Sequence, residues 1–361
     1  MNFLLIIVTS TILTCLAIPL TIKLAHRFNL IDDPKKRPHP AHIQQRIVPR
    51  AGGLAIFLGV FISILIFIPI EKHILGVIIA LVILLIVGLI DDQRPNFSPY
   101  IRLSAQLLAA AIVVGSGVGI SFITNPWGGI IRLDTINILI NFLGTHNLVL
   151  IADIFALLWI VWVMNMINWS KGVDGQMPGI TCVSSLIIGL LSLKLFIAGD
   201  PQQESIAQLS FITTGAALGF LIFNWYPAKI FPGFSGSTIL GFLIAVLAIL
   251  SGAKLATAGL VLLVPAADFV YTFWRRILQG RSPIWGDRGH LHHHLLNLGL
   301  SHQAISLFYI IGSAILGSAA LYLDSRGKLF AAILVGAATL GGILWLNFFG
   351  RYLEPPDPDN G

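Results

Sequence analysis

The chain has 361 residues, of which 56% are hydrophobic and 11% are charged. Soluble domains typically have roughly 45–50% apolar and about 25% charged residues, so the composition excludes an ordinary soluble globule. The formal net charge of +6 favours anionic lipid headgroups or anionic substrates as partners.

Long apolar runs alternate with short polar segments along the whole chain. A bilayer core requires roughly 20 apolar residues of helix, and the runs have about this length. We therefore predict an all-α fold, a polytopic bundle of about 11 transmembrane helices forming one membrane-embedded domain over 1–350, with a disordered tail over 351–361. The runs are approximately 2–25, 51–70, 74–90, 101–123, 150–167, 178–198, 206–224, 236–252, 255–274, 304–323 and 328–349.

Lys and Arg are distributed unevenly between the two sides. If the N-terminus lies outside, 16 of the 22 Lys and Arg face the inside. The positive-inside rule then predicts a multi-pass inner (plasma) membrane protein with a cytoplasmic C-terminus. The inner set is Lys23, Arg27, Lys35, Lys36, Arg37, Arg46, Arg50, Arg94, Arg102, Lys171, Lys229, Arg275, Arg276, Arg281, Arg288 and Arg351.

The first inner segment is basic, rich in His and Pro, and closes on Val48–Gly53, which reads VPRAGG. It suits contact with a lipid or nucleotide phosphate, and headgroup anchoring is the alternative. The next inner segment begins with Asp91 and Asp92. Adjacent carboxylates at a membrane boundary pair with cations or bind a hard metal, and their mutual repulsion suits one of them to proton transfer. A simple helix-end cap is the alternative for this pair.

Two further inner loops are rich in glycine. Residues 168–175 read NWSKGVDG, and residues 231–237 read FPGFSGS. Glycine lets backbone amides approach a ligand closely, and the N-terminus of a helix favours anions. Each loop alone is equally consistent with a plain tight connection between two spans.

The last inner loop contains a run of cations and histidines, and residues 275–294 read RRILQGRSPIWGDRGHLHHH. Arg and imidazole N–H groups are suited to phosphate, which we favour over a transition-metal site because no Cys accompanies the histidines. A solvated basic loop is the alternative. Asp268 lies inside the preceding apolar run, where an ionisable group is costly and indicates either function or helix pairing.

Taken together, these segments resemble the polyprenyl-phosphate N-acetylhexosamine-1-phosphate transferases, nearer the branch that transfers GlcNAc-1-phosphate. The motifs follow in the family's order over nearly the whole chain. They are PRAGG at 49–53, Asp91-Asp92, the loop from Asn168 to Gly175, the Gly233–Ser237 loop, and SPIWGDRGHLHHH at 282–294.

The resemblance implies a reaction in which a polyprenyl phosphate attacks a UDP-sugar and gives a lipid diphospho-sugar and UMP, with Mg²⁺ on the diphosphate. The implied partners are a UDP-N-acetylhexosamine, undecaprenyl or another polyprenyl phosphate, and the bilayer. We expect no nucleic acid as a partner, and a homodimer is left open. The implied catalytic residues are Asp91 and Asp92, the implied metal ligands are Asp92 and Asp174, and the implied substrate-binding residues are Arg50, Asn168, Lys171, Asp174, Arg288, His290, His292, His293 and His294.

Two positions depart from the family pattern. Lys171 stands at a family Asp position, and Phe234 stands where the family has a metal-binding Asp. A lysine ammonium is a point charge that contacts phosphate oxygens, whereas Mg²⁺ demands octahedral geometry. The sequence therefore leaves two hypotheses open, an envelope glycan-synthesising transferase with altered metal dependence and a catalytically impaired relative that binds its ligand or scaffolds an assembly. A transporter is a third hypothesis, which the absence of repeat symmetry disfavours.

Overall fold

The protein is a polytopic bundle of α-helices. The computed structural model describes residues 2–35, 46–141, 145–252, 255–282 and 289–349. The predicted residue Arg288 and the predicted tail at 351–361 lie outside these ranges. The strands within these ranges have two to five residues each.

The described residues form thirteen helices and six short strands. The first half of the chain contains α1 (Phe3–Arg27), β1 (Ile31–Asp32), β2 (Val48–Pro49), α2 (Gly52–Phe67), α3 (Lys72–Gln93), α4 (Pro99–Gly115), β3 (Phe122–Thr124), β4 (Ile130–Arg132), β5 (Asn137–Asn141), β6 (Thr145–Val149) and α5 (Leu150–Trp169). The second half contains α6 (Gln176–Ile197), α7 (Gln203–Asn224), α8 (Gly233–Leu250), α9 (Leu255–Val261), α10 (Leu263–Leu278), α11 (Leu291–Asn297), α12 (His302–Tyr322) and α13 (Ser325–Phe349).

Within the described ranges, eight helices are long and apolar enough to cross a membrane, or nine if α9 and α10 count as one span. The all-α membrane class is confirmed, while the count of about 11 stays a prediction. Two of the predicted spans are the shorter apolar helices α2 and α4. Helix α2 ends before Pro69, and α4 ends where Gly117 adopts a positive φ of 108°.

The predicted span over 255–274 is broken. Helices α9 and α10 meet at an angle of 81°. Pro265 has no N–H group, so it cannot donate to the carbonyl of Val261 one turn earlier, and a continuous helix is interrupted there. Beyond the bend, α10 has Asp268, Thr272 and Arg276 on its buried side.

Helix α8 occupies the centre of the bundle. Its apolar window is 94% buried, against 11% for the peripheral α13. It packs on α2, α3, α5 and α6. At the opposite wall, Gly215 and Gly219 of α7 approach the backbone of α1 so closely that a Cβ atom would overlap it. Small residues permit this close approach of membrane helices, and the rigid bundle fixes the polar loops at one of its ends.

Candidate functional site

The predicted polar loops contact one another at one end of the bundle. Strands β1 and β2 pair antiparallel, with Asp32 opposite Val48. The Phe231 N–H donates to the carbonyl of Pro49 at 2.8 Å, and the Gly52 N–H donates to the carbonyl of Phe231 at 3.0 Å. A Cβ atom on Gly52 would overlap Phe220 and Phe231. The PRAGG motif is therefore an internal junction between the first inner segment and the loop before α8.

Asp92 joins three of these segments. Its Oδ1 accepts from the Phe234 N–H at 2.7 Å and from Arg50 Nε at 3.2 Å. Its Oδ2 accepts from the Ser235 hydroxyl at 2.6 Å and from the Ser235 N–H at 3.2 Å. Asp92 is fully buried. It therefore acts as a carboxylate cap for the first turn of α8, where amide groups and the helix dipole favour a negative charge.

Asp91 has a different environment. Its Oδ1 forms an ion pair with Arg102 Nε, while its buried Oδ2 has no hydrogen-bond partner among the described residues. The Arg102 guanidinium also lies over the ring of Phe234, 5.4 Å from the ring centroid. A buried carboxylate oxygen without a donor is costly, so Asp91 has an acceptor that is free for a ligand or a proton.

Lys171 supplies a third cation. Its Nζ donates to Asn168 Oδ1 at 2.7 Å and to the carbonyl of Gly233 at 3.1 Å, with Ser237 Oγ at 3.5 Å. Desolvation, followed by the repulsion of Arg50, lowers the pKa of the Lys171 ammonium to about 7, although Asp92 and Asp91 oppose this shift. We refer to Arg50, Asp91, Asp92, Arg102 and Lys171 as the acid–cation cluster.

Asp174 fixes the loop that contains Lys171. Its Oδ2 accepts from the Ala228 N–H at 2.9 Å and lies 3.8 Å from Arg46 Nη2. The next residue, Gly175, has a positive φ of 81° and donates its N–H to Asn224 Oδ1 at 3.0 Å. Glycine adopts this backbone conformation without the steric cost that other residues incur. The Asp174 carboxylate thus contacts the loop before α8 and the first inner segment.

A second cluster forms around Asp268. Its Oδ2 lies 2.9 Å from His290 Nδ1, and its Oδ1 accepts from the Leu291 N–H at 2.8 Å, which caps the short helix α11. His292 and His293 are also buried, and the His290 and His292 rings stack with centroids 5.4 Å apart. We refer to Asp268, His290, His292 and His293 as the histidine cluster.

The two clusters meet through adjacent residues of one loop. Lys171 belongs to the acid–cation cluster, and Gly172 lies against the ring of His292 so closely that a Cβ atom would overlap it. Burial, and then the other histidines, lower the pKa of His292 well below its ordinary value. His292 Nδ1 is buried without a hydrogen-bond partner in the described part of the chain. A neutral imidazole therefore faces the loop with one nitrogen unused.

Most of the predicted site residues thus come together, although their roles stay predictions. Arg50, Asp91, Asp92, Asn168 and Lys171 share one cluster, and His290, His292 and His293 share the other. The backbone N–H of His294 donates to the carbonyl of His290 at 3.3 Å. Asp174 contacts the Ala228 N–H and the Arg46 guanidinium.

Sequence reasoning missed Arg102, Ser235 and Ser237 as members of the site. The sequence marks Arg102 as one of the inner-face cations, yet this residue lies in the first turn of α4, the helix that follows the acidic pair, a position that favours a return contact. Ser235 and Ser237 belonged to a recognised glycine-rich loop. The sequence marks Asp268 as a costly buried charge and His290 as a phosphate ligand, but it does not indicate that the two side chains are partners.

The residues present do not fit the Mg²⁺ ion that the resemblance implies. Mg²⁺ needs free oxygen ligands in octahedral geometry. Both oxygens of Asp92 already accept hydrogen bonds, Asp174 faces another loop, and Phe234 offers no ligand. No group of three or more His, Cys, Asp or Glu residues among the described residues could hold a metal ion.

Fold and site together define a class, that of polytopic membrane proteins with acidic and cationic side chains clustered at one end of the helix bundle. Comparison with known families makes this more specific. The model of the family "Glycosyl transferase family 4" matches residues 74–252. Together with the relatives described next, this match shows that the chain belongs to glycosyl transferase family 4.

Three relatives are similar over most of their length. A probable undecaprenyl-phosphate N-acetylglucosaminyl 1-phosphate transferase of Bacillus subtilis is 30% identical over 311 residues, which cover 84% of this chain and 80% of the relative. A decaprenyl-phosphate N-acetylglucosaminephosphotransferase of Mycolicibacterium smegmatis is 31% identical over 369 residues, covering 93% and 86%. An undecaprenyl-phosphate alpha-N-acetylglucosaminyl 1-phosphate transferase of Escherichia coli is 26% identical over 308 residues, covering 82% and 77%.

Proposed function

We propose that the protein transfers a sugar-1-phosphate, N-acetylhexosamine-1-phosphate, from a UDP-sugar to a polyprenyl phosphate, and so contributes to cell-envelope glycan synthesis. The relatives bear names of polyprenyl-phosphate N-acetylglucosamine-1-phosphate transferases. The observation that carries the proposal is the contact between the two clusters. Lys171 belongs to the acid–cation cluster, and the next residue, Gly172, lies against His292 of the histidine cluster. One site therefore offers both cations for a diphosphate and a free carboxylate oxygen for an acceptor.

The reaction forms one bond and breaks one bond at the same phosphorus. An oxygen of the lipid phosphate bonds to the phosphorus that carries the sugar, the bond from that phosphorus to the bridging oxygen breaks, and the electron pair leaves with UMP. Phosphoryl transfer of this kind depends mainly on in-line positioning and on positive charge near the transferred group. Arg50 and Arg102, whose side chains are 22% and 33% exposed, are accessible to such a ligand.

Asp91 and Asp92 have different roles in this proposal. The unpaired Asp91 Oδ2 accepts a proton from a lipid phosphate that arrives protonated, and directs the phosphate oxygen toward the diphosphate. Asp92 holds Arg50 and the first turn of α8 in position. Asn168 and Asp174 hold the loop of Lys171 against the nucleotide. The histidines contact phosphate or nucleotide groups through their ring nitrogens, and Arg288 contributes its guanidinium.

Product formation with purified protein tests the proposal. The protein, reconstituted in nanodiscs, is incubated with undecaprenyl phosphate and each of a panel of UDP-sugars, with and without a chelator. We expect UMP and a lipid-linked product from a UDP-N-acetylhexosamine. Asp91→Asn serves as the inactive control and Lys229→Ala, an exposed lysine on the loop before α8, as the active one. Absence of product for every sugar and both metal conditions would reject the transferase reaction.

A second candidate function is ligand binding without turnover. The observation that favours it is the full engagement of Asp92, together with the apolar Phe234 at a family carboxylate position. Such a protein binds UDP-sugar or lipid phosphate with a measurable Kd yet forms no UMP. Calorimetry beside the product assay distinguishes this candidate from the transferase.

We further propose that the site faces the cytoplasm, with the N-terminus outside and the C-terminus inside. The uneven distribution of Lys and Arg supports this orientation in an inner membrane. Introduced cysteines in loops 26–50, 91–100, 168–177, 225–235 and 276–303 should react with a membrane-impermeant reagent only after the cells are opened. Labelling of any one of these loops in intact cells would contradict the orientation.

A further inference from the structure

The Asp92 carboxylate has no oxygen free for Mg²⁺. A carboxylate offers about four lone-pair sites. The four donors to Asp92 come from Arg50, the Phe234 amide, and the amide and hydroxyl of Ser235. An ion could bind Asp92 only after displacing a helix cap and an ion pair. The carboxylate is thus committed to protein groups.

Phe234 and Arg102 hinder the approach of a divalent cation to the rest of the acid–cation cluster. The Phe234 ring is buried and lies under the Arg102 guanidinium, which is paired with Asp91. Gly233 lies so close to Asp92 that a Cβ atom would overlap the carboxylate. A divalent cation placed here would find an aromatic ring and a guanidinium beside one free carboxylate oxygen, Asp91 Oδ2, and the guanidinium would repel it.

Lys171 lies beside these groups with its charge uncommitted. Its described hydrogen-bond partners, Asn168, Gly233 and Ser237, all present neutral oxygens. The contact with Ser237 Oγ, at 3.5 Å, is the longest of the three and the easiest to exchange for a phosphate oxygen. Lys171 is half-buried, so a ligand can reach it.

The formal charge of the acid–cation cluster also disfavours a bound Mg²⁺ ion. The acid–cation cluster has three cations and two carboxylates, a formal charge of +1. With aspartates in place of Lys171 and Phe234, the same cluster would have a charge of −2, which one Mg²⁺ ion would cancel. The protein therefore already contains the positive charge that a metal ion would otherwise bring to a diphosphate.

We infer that this chain neutralises the diphosphate of its nucleotide-sugar with Lys171, supported by Arg50 and Arg102, and holds no Mg²⁺ ion at this site. The inference rests on the proposed function for the identity of the ligand. It adds the chemistry of recognition, a metal-independent diphosphate site built from side chains.

The test uses two readouts that do not require turnover. Mn²⁺ added to chelator-treated protein and followed by electron paramagnetic resonance reports on a divalent-cation site. Calorimetry measures the Kd of UDP-N-acetylglucosamine with and without a chelator. We expect no protein-bound Mn²⁺ in the wild type and a Kd that changes by less than about twofold on chelation. Stoichiometric Mn²⁺ binding, or loss of nucleotide binding on chelation, would overturn the inference and leave the proposed reaction standing.

Variants assign the effect to individual residues. Lys171→Ala should weaken nucleotide binding about tenfold or more, because a charge-assisted contact is lost. Lys171→Arg should retain metal-free binding, which also shows that the loop tolerates substitution. Lys229→Ala is the matched control and should bind as wild type. Nucleotide binding that Lys171→Ala leaves unchanged would remove the lysine from the site.

The double change Lys171→Asp with Phe234→Asp is the gain-of-function test. It should create an Mn²⁺ signal and make nucleotide binding sensitive to chelation. A double variant without bound Mn²⁺ would show that these two positions do not decide metal use, against the inference. If the wild type binds nucleotide without metal but makes no product, the proposed reaction fails while the inference holds. If it binds no nucleotide under any condition, the inference fails as well.

Discussion

The two clusters of the site differ in the chemistry of the buried atom that each leaves without a partner among the described residues. In the acid–cation cluster, Asp92 has both oxygens engaged, and Asp91 has one oxygen in an ion pair. In the histidine cluster, Asp268 engages both oxygens, yet His292 Nδ1 has no partner among the described residues. The first cluster thus leaves a carboxylate oxygen, Asp91 Oδ2, without a donor, whereas the second leaves a nitrogen of a neutral imidazole without a partner.

The contrast between paired and unpaired polar atoms separates residues that build the site from residues that are available to a ligand. Asp92 and Asp268 orient other groups, while Asp91 Oδ2 and His292 Nδ1 remain open to new contacts, and Lys171 can exchange its 3.5 Å contact with Ser237 for a ligand. A buried group that is fully satisfied gains little from a ligand, whereas an unsatisfied one gains much. The largest mutational losses of stability should therefore fall on the first kind and the purest losses of activity on the second.

The largest effect should come from the acidic pair. Asp91→Asn and Asp92→Asn should each lower turnover by about 100-fold or more. Asp92→Asn should also lower stability by about 3 kcal/mol, because an amide N–H would face the donors of α8 and Arg50 would lose its nearer carboxylate partner. Asp91→Asn should cost only about 1 kcal/mol, since solvent screens the partly exposed Arg102. Turnover and thermal unfolding in the same detergent measure both quantities. Equal stability losses for the two variants would erase the distinction between them.

Asp268→Asn should come next in size. The amide oxygen can still accept from Leu291, but its NH₂ group replaces the acceptor for His290. Loss of one charge-assisted hydrogen bond, about 1.5–3 kcal/mol, corresponds to about 10–100-fold in turnover. Asp153→Asn is the control, because Asp153 accepts from the Val149 N–H at the start of α5 and lies outside both clusters. Similar losses in both variants would indicate a general effect on folding.

Gly172→Ala probes the junction of the two clusters. The added Cβ would overlap the His292 ring, which cannot move without disturbing the neighbouring rings of His290 and His293. Overpacking of this kind costs about 1–3 kcal/mol, and we expect turnover to fall about tenfold. Gly312→Ala, at a helical glycine with open space around it, should be silent. Normal kinetics in Gly172→Ala would mean that the clusters work independently.

The smallest effect concerns pH. The pKa of Lys171 is lowered to about 7, so the ammonium predominates below this pH and is lost above it. The groups that face it are Arg50, Arg102, Asp91 and Asp92. Because an anionic ligand prefers the ammonium, the Kd of UDP-N-acetylglucosamine should rise about threefold between about pH 6.5 and 7.5. Calorimetry across this range should find a flatter profile for Lys171→Arg. An identical profile in both proteins would assign the titration elsewhere.

The sequence was sufficient for the architecture, because apolar length alone identifies membrane helices. It failed at α9 and α10, where composition is continuous but Pro265 interrupts the backbone. Helix lengths at α2 and α4 were also overestimated, because apolar residues continue past the proline and glycine that end these helices. Hydropathy predicts which segments are apolar enough for the bilayer, but it does not predict where the backbone bends.

For the site, motif order indicated most of the residues that the structure brings together, but it did not indicate their pairing. Asp91 and Asp92 are neighbours with equal chemistry in the sequence, and their different partners depend on how α3 meets α4 and α8. The Arg102 contact crosses a helix boundary, and the Ser235 contact spans 143 residues. Such contacts are set by tertiary packing, which a local pattern cannot reveal.

The span between Asp92 and its cap has a consequence for biosynthesis. The Phe234 amide that binds Asp92 lies 142 residues further along the chain. At about 5–20 residues per second, a ribosome takes about 7–28 seconds to make that interval. During that time Arg50 is the one described partner already synthesised. The Arg50–Asp92 ion pair can therefore form first in the nascent protein and neutralise the carboxylate. The amides of α8 then complete the hydrogen bonds of Asp92 once this helix has been synthesised.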